Sequence, residues 1–424
     1  MIQLDVVIVG GGISGLSIGS MLKDKGNQAI ILEKKTDVGG LIRCTVENNV
    51  LFHRVGGHVF NSKDNKVLQW FWSKFNRETE FIKAKRNAKI LLGDKLIGYP
   101  IEDYLFELSD DQLKPIINDI IFLASQKAKE TSAGLNFRDF LLSKFGKNLY
   151  DLYFGPYNSK IWKRDLSNIP IEWLDGKLPM PNLSSILMNN IRRLEESTMP
   201  HSSFWYPMKG GSQFIVDRLS KNLHVVKNTG LRSIAISGGK LLVNNRYSCS
   251  CLVYTGDLRE LKYFVKIDDS NLQDLLVRIM ELPSNGTSNV LCETDDTDLS
   301  WLYLPGEEFL AHRIIYTGNF SPNNNSQTGR KTCVVEFSGT WSEEKMFQDI
   351  KKLPGNLTPI AINIEPNSYI LHSTDTKGLV DNLKISLAKY NIFLLGRFAE
   401  WEYYNMDVCM KRAMEVCEEI DIRI

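Results

Sequence analysis

The sequence predicts an α/β fold: a nucleotide-binding domain assembled from separated stretches of chain, interrupted by one helical and one antiparallel β insertion. Three observations point there. A glycine-rich turn, VVIVGGGISG at residues 6–15, follows an apolar strand and leads into helix-forming residues. Helical periodicity then dominates residues 102–200. Segments that read as returns to the first domain, LVYTG (252–256) and NIFLLGRF (391–398), come only after long unlike stretches.

Bulk properties bound the rest. A chain of 424 residues exceeds one compact core and predicts two or three domains. Hydrophobic residues make up 43% and charged residues 24%, the proportions of a globular protein. A net charge of +1 gives no overall field to attract nucleic acid or an acidic membrane. No apolar run approaches the ~20 residues that span a bilayer, and the first residues form a strand instead of a secretory signal. With seven dispersed cysteines, the expectation is reduced thiols in a cytoplasm. Cys249 and Cys251 lie in RYSCSCLVY, where alternation puts both on one strand face. No second pair completes a zinc site, so no metal is expected.

The glycines carry the first chemistry. Gly10 permits a tight turn, Gly12 lets the backbone approach a pyrophosphate, and Gly15 lets the helix pack close to the strand. The helix that follows, Leu16 to about Lys25, presents free N–H groups and its positive end to an anion. A second strand, QAIILE, ends at Glu33, 18 residues past Gly15, where an acid binds a ribose hydroxyl pair. After it, KKTDVGGLIRC places Gly39 and Gly40 before the basic Arg43. This loop resembles the second FAD-binding loop of the glutathione-reductase-like flavoproteins, so the predicted dinucleotide is FAD and the domain Rossmann-like.

The remaining elements follow in order. RNAKILLGDKLIGYPI (86–101) alternates and turns at Gly93-Asp94, a β-hairpin. The helical stretch is interrupted by the proline-rich NIPIEWLDGKLPMPN (168–182). Residues 224–256 read as a β-meander turning at Gly238-Gly239, residues 260–385 mix strands with polar loops, and an amphipathic helix starts near Met406. The expected domains are FAD-binding at 1–85, 205–260 and 386–424, helical at 102–204, and a β-sheet substrate domain at 86–101 and 261–385.

Several segments together resemble UDP-galactopyranose mutase, within the wider flavin amine oxidase and protoporphyrinogen oxidase superfamily. GGHVF resembles the loop packed on the flavin, with His58 in the histidine position. NAK with its hairpin, FGKNLYDLYFGPYNSKIW ending in Trp162, LVYTG, AHRII with Arg313, and GRFAEWEYYNMDVCMKRA follow in the family's order. The resemblance implies a reduced flavin whose N5 attacks the anomeric carbon of a nucleotide sugar and displaces the nucleotide, in surface polysaccharide or lipopolysaccharide synthesis. It implies catalytic or substrate roles for His58, Arg313, Tyr403, Tyr369 and Trp162. It adds Ser14, Lys34, Gly57, His58, Val225, Thr255, Gly256, Gly396, Arg397, Asn405 and Met406 to the FAD contacts. Arg397 is expected on the pyrophosphate and Asn405 as the cap of the last helix. Arg313, in an apolar setting, needs an anion: a substrate phosphate, or a carboxylate such as Glu336.

Two positions depart from the family. Pro181 stands where the mutases carry a diphosphate-binding arginine, and Asn405 where they usually carry aspartate. A compensating cation would have to come from Lys177, Arg192 or Arg193. WYPMKGG is also nearer the general flavin oxidase form. Three readings therefore stay open: a sugar-nucleotide mutase, an FAD-dependent oxidoreductase, and an inactive flavin-fold protein of an assembly. The expected partners are a small-molecule substrate, an unidentified reductant for FAD and, as an open option, a second copy in a homodimer.

Overall fold

The computed structural model describes residues 1–125, 135–171, 174, 183–194, 202–326 and 328–423. Its centre is a seven-stranded sheet. Ile2–Val9 lies between Ala29–Leu32 and Tyr247–Tyr254, parallel to both. Val225–Val226 extends the sheet beyond Ala29–Leu32. On the other side, Tyr247–Tyr254 is shared by the antiparallel Lys240–Val243 and the parallel Ile392–Leu394. Strands buried on both faces need apolar residues at successive positions, and VVIV at 6–9 supplies them.

Two helical layers cover that sheet. On one face Val6 and Ile8 pack with residues of helices Ile13–Asp24, Asn65–Lys74, Gly211–Ser220 and Met406–Asp421. On the other, Val7 and Val9 pack with Ser270–Ile279 and Thr376–Ala388. These last two helices fall in the stretch expected to be substrate domain, yet their apolar faces complete the nucleotide-binding core. The cysteine pair also differs from expectation. Cys249 packs into one layer and Cys251 into the other, so the expected alternation that puts both on one face does not hold between them. All seven cysteines are buried and free.

The second seven-stranded sheet runs Thr358–Ile370, Ser284–Thr294, Lys331–Ser338, Ala311–Ile315, Trp301–Tyr303, Ala88–Leu92, Lys95–Gly98. The early hairpin therefore joins strands from more than 200 residues later, through a parallel pairing of Trp301–Tyr303 with Ala88–Leu92. The helical insertion contributes Asp110–Ser125, Phe137–Leu149, Gly155–Trp162 and Leu183–Arg192. Pro181 and Lys177 lie outside the described residues, whereas Arg192 and Arg193 are exposed at the end of the last of these helices. No helix among the described residues is long and apolar enough to cross a membrane.

Gly15 closes the first strand–helix unit. A Cβ there would sit 2.0 Å from the Gly10 carbonyl oxygen, a backbone atom that cannot move aside. We therefore expect Gly15→Val to lower stability by about 1–3 kcal/mol through overpacking. Urea unfolding checks this: the midpoint should fall, and an unchanged midpoint would refute the close approach.

Candidate functional site

A cavity of about 490 Å³ lies where the two sheets meet. That volume is within the range of small-molecule sites. At one end it is walled by the first glycine turn and the Gly39–Gly40 loop. These two loops are laid directly on each other: Gly39 N–H donates to the Gly11 carbonyl at 2.8 Å, and a Cβ on Gly40 would come within 3.2 Å of Gly12 Cα. Gly10 has φ +103°, and a Cβ there would lie 2.3 Å from Thr255 Oγ1. The Thr255 hydroxyl donates to the Val9 carbonyl at 2.7 Å, closing the turn against the returning strand. Ser14, Thr255 and Gly256 reach the wall here, whereas Gly396, expected among the FAD contacts, lies off it, at φ +96° against Ser14.

Glu33 is buried and holds the turn from below. Its carboxylate accepts from Gly11 N–H at 2.6 Å and from Lys35 N–H at 2.8 Å. It also faces the cavity, beside the exposed Lys34, whose ammonium lies 3.6 Å from Glu260. Toward the other end come Gly57, His58, Asn405 and Met406. The His58 Nε2 is buried without a hydrogen-bond partner, and burial, then the charge of Arg397, push its pKa down to about 4. The imidazole is therefore neutral near pH 7.

The far wall is built on one transverse row of the second sheet, whose Glu336, Arg313 and Tyr303 line the cavity. Asn363, Asn289, Glu336, Arg313 and Tyr303 are successive cross-strand partners, so their side chains share a face. The loop carrying His58 lies over this row. Gly56 N–H donates to Asn289 Oδ1 at 2.9 Å, and a Cβ on Gly56 (φ +61°) would meet Glu336 Oε2 at 2.9 Å. Arg313 donates from Nη2 to both Glu336 oxygens, at 2.8 and 3.0 Å, and from Nε at 3.2 Å. Tyr369 adds its hydroxyl to Glu336 Oε1 at 3.1 Å. Burial alone would raise the Glu336 pKa, but the Arg313 charge and the His312 contact outweigh it and hold the carboxyl well below the usual range. Of the two anions open to Arg313, the carboxylate is the one it holds.

Other expected residues are placed differently. Arg397 lines the cavity, but its guanidinium donates to the carbonyls of Tyr404 (2.6 and 3.1 Å) and Ser368 (3.2 Å) and stacks 4.5 Å from the Tyr403 ring. It ties the last loop to the second sheet, and these contacts replace the expected reach to a pyrophosphate. Asn405 occupies the N-cap position of Met406–Asp421 without a side-chain hydrogen bond to the helix. It is exposed toward the cavity, so the expected capping role falls away. Trp162 is off the wall. It is buried edge-on behind Tyr369 and Tyr403, 6.1 and 6.4 Å from their ring centres, and supports them by packing. Val225 pairs with Ile31 at the sheet edge, away from the wall, because the chain reaches the cavity only further on, at Gly230 and Leu231. Gly15 and Arg43 also lie off the wall, the first for packing and the second turned so that its Nε is buried without a partner. Trp301 and Tyr303 line the cavity and were not among the expected site residues, and Glu336, expected only as a candidate partner of Arg313, lines it too.

FAD fits this arrangement. Gly12 is the critical observation: a Cβ there has only Gly40 Cα within 4 Å, at 3.8 Å, so a side chain would extend into the cavity and not into protein. Toward the other end, His58 Nε2 is without a hydrogen-bond partner. We expect wild-type protein to carry about one FAD per chain, and Gly12→Val to fold normally but purify colourless, checked by absorbance and thermal melting. Normal FAD loading of Gly12→Val would remove the cradle assignment.

Two further outcomes follow from Glu336. Its folded-state pKa is depressed below the ordinary 4.5, so its stabilising contribution is present above that value and is lost as pH falls below it. Melting temperature should drop as pH falls from about 5 toward 3, and Glu336→Gln should flatten that drop. Arg313→Ala strands a buried carboxylate and should cost about 3–5 kcal/mol in urea unfolding. A cost below about 1 kcal/mol would show that the pair is solvent-screened instead.

Comparison with known proteins places these features. The family described as NAD(P)-binding Rossmann-like domain matches residues 8–75. A probable UDP-galactopyranose mutase of Klebsiella pneumoniae is 25% identical over 185 residues, 42% of this chain and 45% of that protein. The chain thus spans less than half the length of that curated relative. A flavin-containing amine oxidase B of Cavia porcellus is 38% identical over 67 residues, 16% of this chain and 13% of the relative. A crystal structure of reduced UDP-galactopyranose mutase superimposes with a TM-score of 0.86 at 19% identity, covering 98% of this chain and 95% of that one. In sequence and in fold, the chain is similar to the UDP-galactopyranose mutases and, over a shorter stretch, to the flavin-containing amine oxidases.

Proposed function

We propose that this chain is an FAD-dependent enzyme acting on a nucleotide sugar, in a mutase-like isomerisation that serves surface polysaccharide or lipopolysaccharide synthesis in the cytoplasm. The observation that carries the reading is the single cavity, continuous from the glycine cradle to the Arg313 row and walled by Tyr369 and Tyr403. In it, Gly12, Ser14 and Thr255 hold the pyrophosphate of FAD and Glu33 its ribose. The N-terminus of Met406–Asp421 faces the flavin end, where its unpaired N–H groups favour negative charge. When bound and reduced, the flavin supplies a nucleophilic nitrogen. Neutral His58 packs against the ring without adding charge. Arg313 and Tyr369 face the substrate phosphates, Tyr403 offers its hydroxyl, and Trp301 and Tyr303 keep water from the far wall. An external reductant loads the electrons, and a homodimer is compatible with this arrangement.

One observation favours a second reading, an FAD-dependent oxidoreductase. The guanidinium of Arg313 is held by Glu336 and that of Arg397 by carbonyls, so neither stands as an uncommitted diphosphate clamp. The test is anaerobic incubation of dithionite-reduced protein with UDP- and dTDP-sugars, with products resolved by chromatography. Ring-size or epimer conversion without oxygen use is the expected result, with UDP-galactopyranose itself converted weakly or not at all. Reduction of the oxidised flavin by an organic substrate, with no sugar conversion, would replace the mutase reading by the oxidoreductase one.

A further inference from the structure

His312 is a buried titratable residue that the proposed chemistry does not use. It sits in Ala311–Ile315 at an irregularity in the pairing with Lys331–Ser338: Ala311 faces Phe337 and Arg313 faces Glu336, leaving His312 as the extra residue. Neighbouring residues on a regular strand point to opposite faces. A bulge breaks that rule and re-aims a side chain. Here it brings His312 and Arg313 onto the same carboxylate, with His312 Nε2 3.4 Å from Glu336 Oε1.

The ring is fully buried, and neither nitrogen makes an aligned hydrogen bond; Nε2 meets Glu336 as a long polar contact at 3.4 Å. The groups facing it are Glu336 from the adjacent strand, Arg313 beside it, and Tyr157 and Lys160 from helix Gly155–Trp162. Burial, opposed by Glu336, lowers its pKa, which favours the neutral ring. A polar ring whose nitrogens find no aligned hydrogen bond is a poor space-filler. An apolar residue would pack there without that penalty, so the polar contact with Glu336 is the feature that distinguishes it.

Glu336 Oε1 thus has two hydrogen-bond donors, Arg313 Nη2 at 3.0 Å and the Tyr369 hydroxyl at 3.1 Å, and on a third side the polar edge of the His312 ring at 3.4 Å. Arg313 and Tyr369 reach the cavity wall, while His312 does not. We propose that His312 is a positioning residue that fixes the orientation of the Glu336 carboxylate and, through it, the direction in which Arg313 and Tyr369 face the cavity. The assignment rests on the reading that these two side chains meet an anionic substrate.

The test compares His312→Leu, which fills the space without a polar edge, with His312→Gln, which keeps one. FAD content and melting temperature report whether each variant folds. UDP is the probe, its affinity read from the change in flavin absorbance. We expect His312→Leu to weaken UDP about tenfold with FAD content unchanged, and His312→Gln to stay within about twofold of wild type. In a Glu336→Gln background, or Tyr369→Phe should that variant fail to load FAD, His312→Leu should change affinity less than twofold. Equal losses in both His312 variants, or effects that multiply fully in the second background, would overturn the positioning role. The same cycle read on the midpoint potential of bound FAD needs no substrate. A shift in His312→Leu that vanishes in the second background supports the role even if wild type ignores UDP, an outcome that sinks the nucleotide-sugar reading alone. An unmoved potential together with unmoved or absent UDP binding overturns it.

Discussion

The second half of the site depends on one buried carboxylate. Glu336 is almost fully removed from water, where an unpaired charge is not sustainable. Its neighbours are therefore arranged around it: Arg313 across the strand, Tyr369 from the edge strand, His312 from the bulge, and the backbone of Gly56 above. Gly56 matters because only a residue without Cβ, at positive φ, lets the His58 loop lie on the ion pair. The carboxylate thus sets the height of the loop as well as the orientation of the arginine. It is one of the points, with Arg397 on Ser368 and Arg54 on Asn363, where the nucleotide-binding half and the β-sheet half are joined by polar contacts.

The cradle at the opposite end works by exclusion. Gly10 and Gly15 are glycine because protein atoms occupy the place of a side chain. Gly12 is glycine although protein leaves room for one. The first two positions serve the fold and the third serves a ligand, a distinction the spacing GxGxxG does not make by itself. Glu33 spans both roles, since the same carboxylate braces the Gly11 amide and faces the cavity.

Between these ends, the arginines expected to hold anions are largely spoken for by protein. Arg397 closes the last loop over Tyr403, and Arg313 belongs to Glu336. A charge so held still contributes a fixed field to the cavity, and a fixed field needs no reorganisation when charge develops in a substrate. A pre-committed guanidinium is nevertheless a weaker grip on a diphosphate than an open fork, so the chemistry beyond the flavin rests on the whole wall and not on one residue.

The dinucleotide cradle was legible in the sequence because its parts are local. Gly10, Gly12, Gly15 and Glu33 lie within one strand–helix–strand unit, where a fixed spacing implies a fixed geometry. The discontinuous domain was legible too, because strand and helix periodicities switch along the chain. What only the tertiary structure decided was the row Asn363, Asn289, Glu336, Arg313, Tyr303, drawn from five strands whose order in the sheet differs from their order in the chain. It also decided that His312 turns toward Glu336, that Trp162 stands behind the wall, and that the guanidinium of Arg397 faces carbonyls. Cross-strand register and a one-residue bulge choose which side chains meet, and neither leaves a mark in the spacing of residues along the chain.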